Sequence, residues 1–389
     1  MTELEYLAIG YVFFILLIAM EAGVSTWRKN GRYRLNETIG NIGHGVVYQT
    51  FDYYTKALVA VPFVWISSEL APVGLPMDAV WAWLLAVLVY DFMSYWAHRH
   101  SHEVHAMWAV HAVHHAAEDF NLAAALRQPL FSHLFTWVYR LPLALFMPGE
   151  MFIILVVFDY LYQFIQHTQY VPKLGPIGWL MNTPSHHRVH HGRDDKYLDK
   201  NYGGIFIIWD RLFGTFQAEE ETPDYGLTNP VRSVDPIWGN FVFWCRLIEG
   251  TRRARDMRTR VAIWLRGPGD FHALVPPPED PSGSQSSPLP QRFTSTRSLY
   301  VIMHAMVAMP ALPALIYFGQ EWGLWVQAGL ATFLVLSTTS LVGLLEQRSW
   351  ARGLESLRLV VLVLGLFWGV PASLTAIQEM WLEGPLASM

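Results

Sequence analysis

Three short strings carry most of the chemistry this chain could do: HRHSHE from His98 to Glu103, HAVHH from His111 to His115, and HRVHH from His187 to His191. Imidazole nitrogen is a ligand for first-row transition metals, so histidines repeated at regular spacing point first to a metal centre. On a helix, residues three and four apart share a face. That places His98 with His102, His111 with His114 and His115, and His187 with His190 and His191. Eight imidazoles exceed the roughly four to six positions of one such ion and suit two ions that each keep an open position. Packed together without a metal, the same rings would compete for partners, at about 1–3 kcal/mol for each buried group left unsatisfied. His100 falls off the face of its neighbours, whereas His105 continues the His98–His102 stripe, so helical spacing alone leaves it open. His167 and His186 are intermediate, and His44, His133, His272 and His304 read as ordinary hydrogen-bonded residues near apolar helices.

The elements that present these strings are dictated by an apolar composition. Of the 389 residues 52% are hydrophobic, 14% aromatic and only 15% charged, which places the chain in a membrane rather than in water. Thirteen of the sixteen histidines lie between His98 and His191, so the chemistry is concentrated in about a quarter of the chain. One cysteine, Cys245, excludes an internal disulfide framework and any cysteine-based zinc or iron–sulfur site. A net charge of −5 gives no reason to expect nucleic acid as a partner.

A helix crosses the hydrocarbon core with about 20 apolar residues. Tyr6 to Thr26 has that length with one charge, Glu21, and the basic run Trp27 to Arg34 follows it. It reads as a retained first span whose following loop is cytosolic. Gly45 to Ser68 and Ala79 to Ala97 flank the turn-rich segment Ala71 to Pro76 and predict a helical hairpin. A second hairpin is written in Leu134 to Met147, the break Pro148–Gly149, and Met151 to Gln166; its arms are short and carry Arg140, Glu150 and Asp159, as in a re-entrant or bundle-packed element. The stretch Asn182 to Arg297 holds 15 of the 27 Lys and Arg residues and is cytosolic by the positive-inside rule, which brings every histidine string to one membrane face. A Pro- and Ser-rich linker, residues 267–297, precedes three charge-free runs, Ser298 to Gln320, Trp322 to Leu345 and Leu359 to Gln378. The predicted architecture is all-α: a multi-span integral membrane bundle with a histidine-rich cytosolic cap around a dinuclear metal site. Its divisions are a catalytic domain over residues 1–266 with its histidine core at 91–216, the linker, and a C-terminal three-helix segment over residues 298–389.

HxxxH, HxxHH and HxxHH together resemble the membrane-bound fatty acid hydroxylase and sterol desaturase superfamily. The longer strings are similar to one family within it, the alkylglycerol monooxygenases. These strings are DFMSYWAHRHSHEVHAMWAVHAVHHAAEDFNLAAALRQ from Asp91 to Gln128, and FIQHTQYVPKLGPIGWLMNTPSHHRVHHGRDDKYLDKNYGGIFIIWDRLFGTF from Phe164 to Phe216. The likeness continues through YGLTNP at Tyr225 to Pro230 and into GLLEQRSWARGLESLRL near the C-terminus. The resemblance implies two iron ions held by His98, His102, His111, His114, His115, His187, His190 and His191, with His167 where the superfamily often has a further histidine. It also implies that Glu103 is a catalytic and cofactor-binding side chain that helps hold or protonate a reduced pterin. His100 and Ala116–Ala117 depart from the residues relatives commonly carry, at positions that touch no ligand.

The activity so implied is insertion of oxygen from O₂ at the alkyl carbon next to the ether oxygen of an alkylglycerol, with tetrahydrobiopterin as reductant, giving a fatty aldehyde and a glycerol derivative. Iron rather than zinc follows from the resemblance and from the need for redox chemistry. The partners implied are a long-chain lipid substrate and the surrounding membrane lipid, in a bacterial inner membrane or an endoplasmic reticulum. A rival of the same chemistry is a sterol, carotenoid or fatty-acyl hydroxylase or desaturase served by a separate ferredoxin or cytochrome donor. A membrane zinc carrier or sensor is a rival of another kind, but it requires ligating residues along a path inside the spans, whereas these strings gather beyond the span ends.

Overall fold

Apolar runs without a β-alternation fold as helices, and the computed structural model, which describes residues 3–71, 74–275 and 294–365, is all-α. Extended pairing among the described residues is limited to isolated bridges, Met181 with Phe206 and Gly192 with Tyr225. The helices are α1 (Glu3–Arg28), α2 (Leu35–Thr55), α3 (Ala57–Trp65), α4 (Val80–Glu103), α5 (His105–His115), α6 (Ser132–Arg140), α7 (Gly149–Gln166), α8 (Ile177–Leu180), α9 (Pro184–His190) and α10 (Ile208–Phe213). They continue as α11 (Pro236–Arg253), α12 (Met257–Leu265), α13 (Phe271–Leu274), α14 (Ser295–Ala308), α15 (Ala311–Phe318) and α16 (Leu324–Leu345), with residues 351–365 forming α17. Two compact units divide them, one from Phe13 to Gln291 and one joining Met1–Val12 to Arg292–Met389.

Among the described residues, four helical stretches are long and apolar enough to cross a membrane: α4, α7, the run Ser295–Phe318 through α14 and α15, and α16. The predicted span Gly45 to Ser68 is different. Its first half belongs to α2, where Gly45, Val46, Val47, Tyr48 and Thr50 are buried beside Asn41 and His44, and its second half is the short apolar stretch Ala57–Leu70. Hydropathy alone does not separate a face covered by protein from one covered by lipid. A Cβ on Gly45 would lie 2.8 Å from the Leu126 carbonyl oxygen, so α2 packs directly on backbone there. In the second hairpin the first arm is nine residues of α6 followed by a 3₁₀ turn at Leu141–Leu145, too short to cross. Of the predicted linker, residues 267–297, the start instead forms a 3₁₀ turn at Pro268–Asp270 and α13, and its end from Ser295 belongs to α14; residues 276–293, and the run Leu359 to Gln378 beyond residue 365, lie outside the described residues.

In the larger unit, α4 packs with α3 and α7 through Phe63, Ala82, Ala86, Tyr90, Met151 and Leu155. Tyr90 also donates to Asp159 across this packing at 3.1 Å. α4 ends because Val104 takes an extended conformation, and α5 then sets off in a new direction against α11 and α12. The small faces of Ala109 and Ala112 meet Val242, Phe243, Leu247 and Ile263 in that packing. Asp235 starts α11 by accepting from the Ile237 and Trp238 amides, ahead of Pro236 in the first turn. Glu21, the single charge of the first predicted span, is buried and accepts from Tyr33, from Thr168 and from the Leu122 amide.

In the C-terminal unit, α14, α16 and α17 share a buried polar core. Arg358, fully buried, donates through Nε to Glu355 at 2.8 Å; Glu355 also accepts from Ser340 at 2.8 Å and from Tyr300. His304 lies 2.9 Å from the Arg358 guanidinium, in keeping with an ordinary hydrogen-bonded histidine.

Candidate metal centre

The histidine strings sit at the C-terminal ends of two span-length helices and on the two short helices beside them. His98 and His102 occupy the last turns of α4, His167 directly follows α7, α5 carries His111, His114 and His115, and α9 with the residue after it carries His187, His190 and His191. Nine of these imidazoles collect into two groups. One is His98, His102, His111, His115 and His190; the other is His114, His167, His187 and His191, with one ring nitrogen from each member within 4.8 Å of the others in its group.

This division corrects the shared-face expectation, which kept each triple on one face. Each i, i+4 pair stays together, namely His98 with His102, His111 with His115, and His187 with His191, while the i+3 residues His114 and His190 join the opposite group. A helix turns about 100° per residue, so His114 and His115 point in directions roughly 100° apart. Two helices thereby contribute to both groups, which places the groups side by side.

The atoms fit metal ions. Nδ1 of His98 donates to the Tyr202 carbonyl at 2.8 Å, Nδ1 of His190 to the Lys200 carbonyl at 3.0 Å, Nδ1 of His114 to the Arg127 carbonyl at 3.1 Å, and Nδ1 of His167 to the Gln163 carbonyl at 2.8 Å. With Nδ1 protonated by these bonds, Nε2 is left as a bare lone pair turned inward. The inward nitrogens crowd one another: Nε2 of His111 lies 3.0 Å from that of His98 and 3.1 Å from that of His115, and Nε2 of His167 lies 3.1 Å from that of His187. Nitrogens on adjacent positions of an ion, each about 2.1 Å from it, are about 3 Å apart. Nε2 of His102, His190 and His191 are buried with no hydrogen-bond partner at all, an arrangement that is costly unless a cation meets them. Burial, with the neighbouring imidazoles as second cause, holds His111, His114, His115, His187, His190 and His191 well below the ordinary histidine range, and burial pushes His167 down to about 4. At neutral pH these rings are neutral, the form in which imidazole can bind a metal.

The remaining sequence candidates stand elsewhere. Glu103 is exposed and pairs with Arg99 at 2.8 Å, outside both groups. His105 packs on Phe271, His100 lies 2.6 Å from the Tyr139 hydroxyl, and His186 lies 3.3 Å from the Thr183 hydroxyl. His133 meets Tyr48 and Asp52, and His44 binds the Gly40 carbonyl in its own helix.

Several supporting residues carry no motif of their own. Asp91, fully buried, accepts from the Ile205 and Phe206 amides at 2.7 and 2.9 Å and from the Trp209 indole at 2.9 Å, fixing the loop after α9 to α4. Its position seven residues before His98, two turns along the same face, was the available signal. Asp210 accepts from the amides of Tyr202 and Gly203, and a Cβ on Gly203 would overlap the Phe206 carbonyl oxygen. Phe120 stacks on His167 at 5.5 Å and on Tyr225, the first residue of YGLTNP, at 4.9 Å.

An all-helical membrane chain with a histidine-only, two-group donor site defines a class of lipid-modifying oxidoreductases, and the Fatty acid hydroxylase family profile matches residues 83–215. Alkylglycerol monooxygenase of Homo sapiens is 33% identical over 374 residues, covering 92% of this chain and 82% of the relative. The Xenopus tropicalis alkylglycerol monooxygenase is 33% identical over 362 residues, covering 91% and 80%. Ornithine lipid hydroxylase of Rhizobium tropici is 26% identical over 243 residues, covering 59% and 73%. No solved structure matches the chain. The chain belongs to the alkylglycerol monooxygenase family within the fatty acid hydroxylase and sterol desaturase superfamily. It is accordingly an oxidoreductase with a potential two-metal site and a membrane lipid as substrate class.

Proposed function

We propose that this protein is a di-iron monooxygenase that hydroxylates the alkyl carbon next to the ether oxygen of alkylglycerols, with tetrahydrobiopterin as reductant. The observation that carries the reading is the pair of histidine groups, whose inward nitrogens lack other partners, in a chain aligned with alkylglycerol monooxygenases over 92% of its length. His98, His102, His111, His115 and His190 would hold one iron, and His114, His167, His187 and His191 the other. Two bound irons, given O₂ and two electrons from the pterin, supply an oxidant strong enough for an unactivated C–H bond, with one oxygen atom inserted and the other leaving as water. The hydroxylated ether carbon is a hemiacetal, which collapses to a fatty aldehyde and glycerol.

The protein's own part is to bind, orient and keep protons away. The Nδ1 bonds to backbone carbonyls fix the ring planes, and burial keeps the imidazoles neutral. Glu103, exposed at the end of α4, is assigned to the pterin, by holding it or by supplying a proton. The catalytic work is assigned to residues 1–266, with the C-terminal spans outside it. The site faces the cytosol, in line with the basic residues of Asn182 to Arg297. A lipid tail kept among the spans avoids about 0.8 kcal/mol for each CH₂ that would otherwise enter water.

A pterin donor is favoured over a ferredoxin or cytochrome because the relatives matched over most of both chains are alkylglycerol monooxygenases, whereas the ornithine lipid hydroxylase aligns over 59% of this chain. The test is an assay of the iron-loaded protein on a 1-O-alkylglycerol under O₂, with tetrahydrobiopterin or with a reduced ferredoxin. Aldehyde formed with the pterin is the expected result. Aldehyde formed only with ferredoxin, or none with either, contradicts the reading.

A further inference from the structure

The two histidine groups are supported differently. A single short loop, residues 199–202, reaches the Nδ1 side of three of the five histidines in the first group: the Asp199 carboxylate lies 3.5 Å from Nδ1 of His102, the Lys200 carbonyl 3.0 Å from that of His190, and the Tyr202 carbonyl 2.8 Å from that of His98. The Tyr202 ring packs against the same three imidazoles, with centroids 5.9, 5.2 and 6.0 Å from His98, His102 and His190. None of these contacts reaches the second group, whose Nδ1 bonds go to Arg127 and to Gln163 on separate elements, while Nδ1 of His187 has no partner.

The loop holds this shape by a demanding backbone. Asp199 and Asn201 are both left-handed, with φ of 57°, a region that Asn and Asp enter more readily than other side chains. Asn201 locks the turn through both ends of its amide, donating to the Gln217 carbonyl at 2.7 Å and accepting from the Gln217 amide at 2.9 Å. Asp210 then takes the Tyr202 and Gly203 amides at 2.7 and 2.8 Å, which aims the Tyr202 carbonyl at His98.

We propose that residues 199–202, braced by Asp210, are a clamp for one metal position only, the one formed by His98, His102, His111, His115 and His190, so that the two ions are held independently. The proposal rests on the two-metal reading. Asp199 and Asp210 are positioning residues: they act through the rings of His102 and His98. A partner on the far nitrogen of a ligating histidine fixes its orientation and raises its basicity, and losing one typically lowers metal affinity 10–100-fold. The carboxylate at His102 makes that position the more electron-rich of the two.

The test is a chelator titration of the full-length protein loaded with ferrous iron, compared with Asp199→Asn and Asp210→Asn. Asp199 is exposed, and Asn keeps the left-handed backbone, so this variant preserves the fold; the melting temperature of its metal-free form should equal that of the parent. The expected result is that one of two irons leaves at roughly 10-fold lower chelator in Asp199→Asn, and at up to 100-fold lower in Asp210→Asn, with the second unmoved. Phe120→Leu, beside His167, His187 and His191, should loosen the other ion instead. Both irons shifting together, or neither shifting in Asp199→Asn, overturns the clamp while leaving two metals in place. A parent protein that holds fewer than two ions overturns the two-metal reading and the clamp with it.

Discussion

At the scale of residues, the decisive feature is the split of each HxxHH string between two sites. His115 belongs to the first group and His187 to the second. In the proposed two-iron centre each would serve a different ion, and His115→Ala and His187→Ala should both reduce O₂-dependent turnover below detection while the protein still partitions into membranes. Retained turnover in either would contradict the ligand assignment. Glu103 makes a separate case. Its pairing with Arg99 is an exposed i, i+4 ion pair, worth about 0.3–0.5 kcal/mol, so a stabilising role would be nearly silent. Glu103→Gln should leave iron content and melting temperature unchanged and raise the KM for tetrahydrobiopterin about 10-fold. An unchanged KM would remove Glu103 from the pterin site.

At the scale of elements, part of the scaffold is legible in the sequence because lipid exposure leaves a long apolar run. α4, α7 and α16 show this, each with the length to cross a bilayer. α2 and α6 do not, because their partners are other parts of the protein: α2 buries Glu37, Asn41 and His44 along with its apolar residues, and α6 gives way to a Pro142-bearing 3₁₀ turn. The site was legible to the level of which histidines gather, since helical spacing is a local property. Their sorting into groups was not, because it depends on how α5 and α9 face α4, and backbone carbonyls that orient the rings have no sequence signature. Asp91 shows the same limit, since its three donors lie more than a hundred residues downstream. Asp91→Ala would leave the buried Ile205 amide and the half-buried Phe206 amide and Trp209 indole without their acceptor, at about 1–3 kcal/mol for each fully buried group. Thermal unfolding should register a loss of at least about 1 kcal/mol, with Asp91→Asn milder; a neutral Asp91→Ala would mean that water or another group replaces the carboxylate.

At the scale of the whole molecule, the apolar composition and the histidine surplus meet in one arrangement, in which the span-length helices α4 and α7 end at a cluster of histidines able to hold metal. A lipid whose tail stays in hydrocarbon throughout should give a KM that, expressed as mole fraction in the membrane, does not depend on alkyl length. Expressed as bulk concentration, the same KM should fall about fourfold for each added CH₂, the partitioning equivalent of about 0.8 kcal/mol. A strong length dependence at fixed mole fraction would mean that the chain leaves the bilayer to react.

The claim underlying every scale is that nine histidines hold two redox-active ions. Metal analysis of the protein purified from iron-replete cells measures this directly. Two irons per chain are expected, falling in His115→Ala and in His187→Ala; stoichiometric zinc, or a single ion shared by both groups, would overturn the two-iron assignment.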